Sequence, residues 1–217
     1  MKKLLFSMTL LCLVSAAGFA QSENVSNDKM KNGSFEIISK TPRGSSSYLL
    51  KCIRTGWDFG RNPVIFMPKY WTPGGVAGRI ALRVIDKNKP GEEQNVQHGN
   101  KSIRLEGNGN FYCSNEFFPG TYRLSVWAKG KGQVVLFCHS GYRPAVRGQK
   151  AHPSQRKILL RIKNPGPEWK EFHVTMPMGH VTPPCDYNDI LIAINNADPI
   201  YLDNITLIPA VEKDDKK

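Results

Sequence analysis

The chain has 217 residues, 40% of them hydrophobic and 22% charged, with 30 Lys and Arg against 18 Asp and Glu for a net charge of +12. After the first twenty residues no segment is apolar for long enough to cross a membrane. No run of five or six like charges occurs, so the basic surplus is a broad field and not a binding tail.

Residues 1–20 have the order of a cleavable secretory signal peptide. Lys2 and Lys3 form a positive start, and Leu4 to Val14 an apolar stretch too short to span a bilayer. Gly18 and Ala20 are the small residues before a cut at Gln21. Leu10 and Leu11, just before Cys12, do not suit a lipoprotein signal. The expected mature protein has 197 of the 217 residues and, with Lys2 and Lys3 gone, a charge of +10. That length suits one domain with a sizeable core.

A secreted or periplasmic location changes how the charge and the cysteines are read. Outside the cytoplasm the counterpart of a basic field is an anionic polysaccharide or an anionic cell surface, not nucleic acid. A solvated basic surface without a specific partner is the alternative. Cys52, Cys113, Cys138 and Cys185 remain after cleavage, and export permits two disulfides. Their spacing is unlike that of a zinc knuckle. Cys113 and Cys138 fall in neighbouring strand candidates, which favours the pairs 113–138 and 52–185; buried thiols are the alternative.

Residues 21–31 are a polar lead-in. Strand candidates then follow at 33–38, 80–85, 102–105, 122–129, 133–139, 157–162, 171–176, 190–194 and 200–208. Turn clusters separate them, among them Gly107-Asn108-Gly109 and Asn164-Pro165-Gly166-Pro167. Tyr122, Leu124, Val126 and Ala128 alternate with Arg123, Ser125, Trp127 and Lys129, so the two sets face opposite ways. Residues 133–139 are apolar on both faces, and the Gly130-Lys131-Gly132 link predicts a hairpin between these two strands. Residues 143–155 form a long Pro- and Gly-containing basic loop. No convincing helical period occurs. The prediction is an all-β, two-sheet antiparallel sandwich of about nine or ten strands over residues 32–210, with a charged tail at 211–217.

Six stretches occur in a telling order: Asn32-Gly-Ser-Phe-Glu36, Gly56-Trp57, Gly99 to Leu105, Pro119 to Lys129, Glu168 to Phe172, and Ile200 to Leu207. This succession resembles carbohydrate-binding modules of the family 4, 9 and 22 type, within the galactose-binding-like jelly-roll group. The resemblance implies a non-catalytic polysaccharide binder, its ligand acidic or sulfated if the basic field takes part. It also implies a structural calcium ion held by Glu36, Asp203 and backbone oxygens near Gly99 to Lys101, which suits a cation that takes six to eight oxygen ligands.

Sugar binding calls for flat aromatic rings and polar groups. Trp127 is the leading candidate, with Arg123 and Lys129 on its face and His139 from the next strand. Tyr70 and Trp71 lie in a Pro- and Gly-rich segment that suits a loop platform. Trp57 and Trp169 read as structural, and Trp127 itself suits the core if another layer covers the sheet. Two alternatives stay open. One is a structural or adhesive envelope protein that binds another protein. The other is a jelly-roll polysaccharide lyase drawing on Tyr112, His98, His139, Arg104 and Arg123, although their spacing forms no lyase motif.

Overall fold

The computed structural model describes residues 28–42, 57–61, 63–74, 80–113, 117–141, 155–178 and 187–210. The expected signal peptide, Cys52, Cys185, nearly all of the expected 143–155 loop and the 211–217 tail lie outside these residues.

Eleven strands occur among them. They are β1 (Ile38–Pro42), β2 (Trp57–Asp58), β3 (Val64–Pro68), β4 (Trp71–Pro73), β5 (Ile80–Asp86) and β6 (Lys101–Cys113), then β7 (Gly120–Gly130), β8 (Gln133–Gly141), β9 (Gln155–Lys163), β10 (Gly166–Met178) and β11 (Tyr187–Pro209). The remaining element is one 3-10 turn at Glu93–Asn95. No helix of the described residues is long and apolar enough to cross a membrane.

The two long strands organise the fold. β6 and β11 pair antiparallel along most of their lengths, with a shift in register between Asn196 and Ile200. Pro199 lies in that break, where the missing N–H of proline is tolerated. Beyond the break, Ile200 to Pro209 pair with β7, and β7 pairs with β10. Before it, Tyr187 to Ile194 pair with β8, and β8 pairs with β9. Each long strand therefore gives one half to each of two layers. Layer A is β10-β7-β11-β6-β5-β2, and layer B is β9-β8-β11-β6-β4. The pairings are antiparallel except for a two-residue parallel contact of β2 with β5. β1 and β3 form a separate two-stranded ribbon.

The layers close on one apolar core. Leu124, Val126 and Ala128 of β7 face Leu136 and Cys138 of β8, Ile103 and Phe111 of β6, and Ile192 and Ile205 of β11. Each such buried Leu, Ile or Phe contributes roughly 1.5–3 kcal/mol of transfer free energy. Lys157 Nζ donates to Pro177 O at 2.8 Å and ties the free edge of layer B to β10 of layer A.

Several expectations are corrected here. β7 and β8 do not form a hairpin. The Lys131-Gly132 link crosses from layer A to layer B, and β11 provides the partner edge for both strands. Gly107-Asn108-Gly109 is not a turn but part of β6, where Gly107 absorbs the bend at φ +95°. Residues 190–194 and 200–208 belong to one strand.

Trp71 is no loop platform. It is 3% exposed, stacks on Phe111 with centroids 5.0 Å apart, and meets Phe35 at 5.4 Å. The Cys113–Cys138 disulfide is also overturned. Both residues stand opposite Ile190, one on each side of β11. They are therefore two strand spacings apart, about 9.5 Å, beyond the reach of a disulfide, and both are thiols.

Candidate functional site

The sandwich has two outward faces, and the crossing between β7 and β8 decides which side chain belongs to which. The outward side of layer A carries Arg123, Ser125, Trp127 and Lys129, as the alternation requires. It is not open. Residues 92–100 lie across it, and five side chains hold them there. Lys129 Nζ donates to Gln94 O at 2.6 Å, and Trp169 Nε1 donates to the same carbonyl at 3.1 Å. Ser102 Oγ donates to Asn95 O at 2.5 Å. Asp203 Oδ2 accepts from the N–H groups of Gln97 and His98 at 2.9 and 2.8 Å. Glu36 Oε1 accepts from those of Asn100 and Lys101 at 2.7 and 2.9 Å.

Trp127 is consequently half-buried, with the His98 ring 5.2 Å from its own. Lys129 is buried, its ammonium 5.4 Å from the Trp169 ring centroid and 5.3 Å from that of Tyr201. Burial pulls its pKa down, and Glu168 opposes that shift. Arg123 is exposed and lies 3.8 Å from Glu171. Trp169, expected in the core, sits on this outer side and works as a clamp. A cleft of about 480 Å³ opens at the end of the layer, lined by Lys129, Tyr201, Pro167, Pro199, Lys131 and Asp198 among others.

Asp203 is fully buried between these groups. Desolvation raises its pKa to about 6, the nearby Glu36 charge pushes the same way, and the N–H donors of His98, Gln97 and Asn204 oppose the shift. Lys101 approaches Glu36 through its N–H, while its ammonium stands 3.6 Å from Asp86. The expected calcium residues thus meet at one loop. No cluster of three or more His, Cys, Asp or Glu side chains that could hold a metal occurs among the described residues.

The outward side of layer B is different in kind. Cross-strand register puts Tyr112 of β6, Leu191 of β11 and Phe137 of β8 in one row, and Ile158 of β9 continues it. Leu191 is buried, Tyr112 and Phe137 are half-buried, and Ile158 is 47% exposed. One row along, Arg156 stands opposite His139, and His139 opposite Asp189. His139 Nδ1 is 4.0 Å from Asp189 Oδ2. On the other flank Asn110, Ala193, Val135 and Arg161 form the next row. The result is a strip of apolar and aromatic side chains, one strand spacing apart, with Arg156, His139 and Asp189 along one side and Asn110 and Arg161 at the two ends of the other.

The predicted sugar-binding set is therefore divided. Trp127, Arg123 and Lys129 are on layer A, while His139 is on the opposite side of the molecule. Tyr70 is 46% exposed in a turn at φ +72°, with Lys69 Nζ 5.0 Å from its ring. The lyase set is divided as well: Tyr112 and His139 face out from layer B, and His98, Arg104 and Arg123 belong to layer A. Phe137, Leu191, Ile158, Arg156 and Arg161 were not singled out from the sequence. Their only signal was a second apolar face on residues 133–139.

Similar solved structures include carbohydrate-binding modules of families 16, 22 and 61. A family 16 carbohydrate-binding module is 18% identical with a TM-score of 0.38, covering 52% of this chain and 80% of that one. The CBM22-2 xylan-binding domain of Paenibacillus barcinonensis Xyn10C is 11% identical with a TM-score of 0.43, covering 65% and 92%. TmCBM61, in complex with β-1,4-galactotriose, is 13% identical with a TM-score of 0.38, covering 84% and 99%. No protein-family model and no curated protein matches the chain. The likeness is one of β-sandwich outline.

Proposed function

We propose that this is an exported, non-catalytic polysaccharide-binding protein whose sugar-binding surface is the outward side of layer B. The observation that supports this reading is the row Tyr112–Leu191–Phe137–Ile158, with Arg156 and His139 on one flank and Asn110 and Arg161 on the other. Sugar rings present apolar C–H faces and polar edges, so a ligand lying along that row stacks on it while its hydroxyls reach the flanking groups. The charge of +10 expected after cleavage favours an acidic or sulfated polymer over a neutral one. The division of Tyr112 and His139 from His98, Arg104 and Arg123 weighs against the lyase reading. The test is affinity electrophoresis against a panel of polysaccharides. Wild-type protein is expected to be retarded by at least one of them, and Phe137→Ala and Tyr112→Ala to lose that retardation without unfolding. Unretarded wild-type migration in every gel refutes the proposal.

Calcium is part of the same proposal, as a structural ion. Glu36 and Asp203 would supply carboxylate oxygens beside the 97–101 loop, and carbonyls of that loop the remainder. The fit rests on Asp203, which is buried near the Glu36 charge with its pKa raised to about 6, a situation that a cation relieves. A chelator is expected to lower the melting temperature and added calcium to restore it; an unchanged melting temperature refutes it.

A further inference from the structure

We infer that the polysaccharide bound by layer B is anionic, and that its acidic groups are held by a ladder of cations on the edge strand β9, formed by Arg156, Arg161 and Lys163. The inference rests on the sugar-binding reading of that surface and names the chemistry of its ligand.

Three observations carry it. The first is placement. Register pairs Arg156 with His139, Arg161 with Val135 and Lys163 with Gln133, so all three cations share the outward side with Phe137. All three are exposed. Lys157, which stands opposite core-facing Cys138, donates instead to Pro177 O and pins the strand.

The second is the contrast in pairing between the two layers. On layer A the outward arginines have carboxylates: Arg83 with Asp58 at 3.3 Å, Arg104 with Glu106 at 2.8 Å and Arg123 with Glu171 at 3.8 Å. Among the described residues no acidic side chain lies within 4.0 Å of Arg156, Arg161 or Lys163. The carboxylate of the neighbouring row, Asp189, is 3% exposed and faces His139. The outward arginines of layer A are therefore neutralised, while the two arginines and the lysine of the β9 edge are not.

The third is geometry. Alternate strand residues are about 6.6 Å apart, so Arg161 and Lys163 stand side by side on one flank of the point where a ligand along the row crosses β9, with Arg156 on the other flank. Two of the three are arginines, whose planar fork binds carboxylate and sulfate oxygens in pairs. The cations lie at the open Ile158 end of the apolar row, while the other end, with Tyr112, Asn110 and Asn108, is uncharged. A ligand along the row thus meets stacking groups first and cations at the β9 edge.

The test compares wild type, the triple variant Arg156→Gln/Arg161→Gln/Lys163→Gln and Phe137→Ala. The probes are a polygalacturonate, dextran sulfate, a neutral xylan and vesicles of anionic phospholipid, at about 50 and about 500 mM NaCl, where screening differs strongly. Wild type is expected to bind polygalacturonate or dextran sulfate at low salt and to weaken roughly tenfold or more at high salt, as exposed charge contacts do. The triple variant is expected to lose roughly tenfold or more at low salt and to become nearly insensitive to salt. The preference between the two acidic polymers tells carboxylate from sulfate recognition. Failure of both acidic polymers to bind at low salt overturns the inference. So does wild-type affinity and salt dependence in the triple variant; if Phe137→Ala still weakens binding, the sugar-binding surface stands and only the ladder falls. Vesicle binding as tight as polymer binding, lost in the same variant, overturns the inference in favour of a membrane surface.

Discussion

Trp127→Ala separates the two outward faces of the sandwich. In the sequence Trp127 is the leading sugar-binding ring, and its loss would weaken binding while leaving stability alone. The structure puts it under residues 92–100, half-buried, with His98 5.2 Å from its ring. Truncating a fully buried Trp costs about 3–5 kcal/mol. Half of that, about 2 kcal/mol, applies to a half-buried ring, and the aromatic pair with His98 adds about 0.5–1.5 kcal/mol. The expected loss is thus about 2.5–3.5 kcal/mol. At about 2–4 °C per kcal/mol for a domain of this size, the melting temperature falls by roughly 5–14 °C. Chemical denaturation gives the free energy, and affinity electrophoresis of the folded variant gives the binding. A variant with an unchanged denaturation midpoint and no retardation by polysaccharide refutes the reasoning and moves the binding surface to layer A.

Other outcomes follow from the same coordinates. Gly33→Ala puts a Cβ against the carbonyl oxygen of Ile205, whose N–H is itself bonded to Gly33 O at 3.0 Å, so backbone must move; a loss above about 3 kcal/mol is expected, and a loss under 1 kcal/mol counts against the close approach (as judged on the same scale). Non-reducing peptide mapping is expected to find no bond between Cys113 and Cys138, and recovery of that linked pair refutes the strand order β6-β11-β8. Asp203 gives a pH signature. Its folded pKa of about 6 lies above the ordinary carboxylate value of 3.8, so between those values the folded chain binds more protons than the unfolded one. Its contribution therefore falls as pH rises from 3.8 to about 6, by about 3 kcal/mol in all, and is flat above. Asp203→Asn is expected to remove that component from the pH dependence of the denaturation midpoint; an unaltered profile refutes it.

What the sequence made legible was mostly local. The alternation of 122–129 placed Tyr122, Leu124, Val126 and Ala128 inward and Arg123, Ser125, Trp127 and Lys129 outward, as the structure has them. Period-two patterning is a property of one strand and needs no partner. Which strands lie side by side is not local. A short Gly-containing link serves a hairpin and a crossing between layers equally well, and only β11 decides between them by offering its edge to β7 beyond the break and to β8 before it. From that one misplacement came the joining of His139 with Trp127, and the Cys113–Cys138 bond failed because β11 lies between their strands. Trp71 was misplaced for a related reason. Its Pro- and Gly-rich neighbours suggested exposure, but its burial depends on Phe35 and Phe111, which are distant in the chain.

The crossing also explains why the two outward faces hold different groups. On layer A, Lys129, Trp169, Ser102, Asp203 and Glu36 all spend their polar atoms on backbone groups of residues 94–101. Those side chains would otherwise be the best ligand-binding groups in the molecule, combining aromatic rings, a cation and carboxylates. Their geometry is that of a clasp: each reaches a main-chain N–H or carbonyl of that loop. A polymer that lay across layer A would have to displace the loop and break these bonds, losing about 0.5–1.5 kcal/mol for each neutral one and about 1.5–3 kcal/mol for each charged one. On layer B the cations of the β9 edge carry no such duty. Arg156, Arg161 and Lys163 hold no carboxylate, and Phe137 and Ile158 are not under the loop that covers Trp127. A ligand held at the β9 edge need not displace the 92–100 loop, so the face with the less conspicuous sequence takes it without opening the clasp.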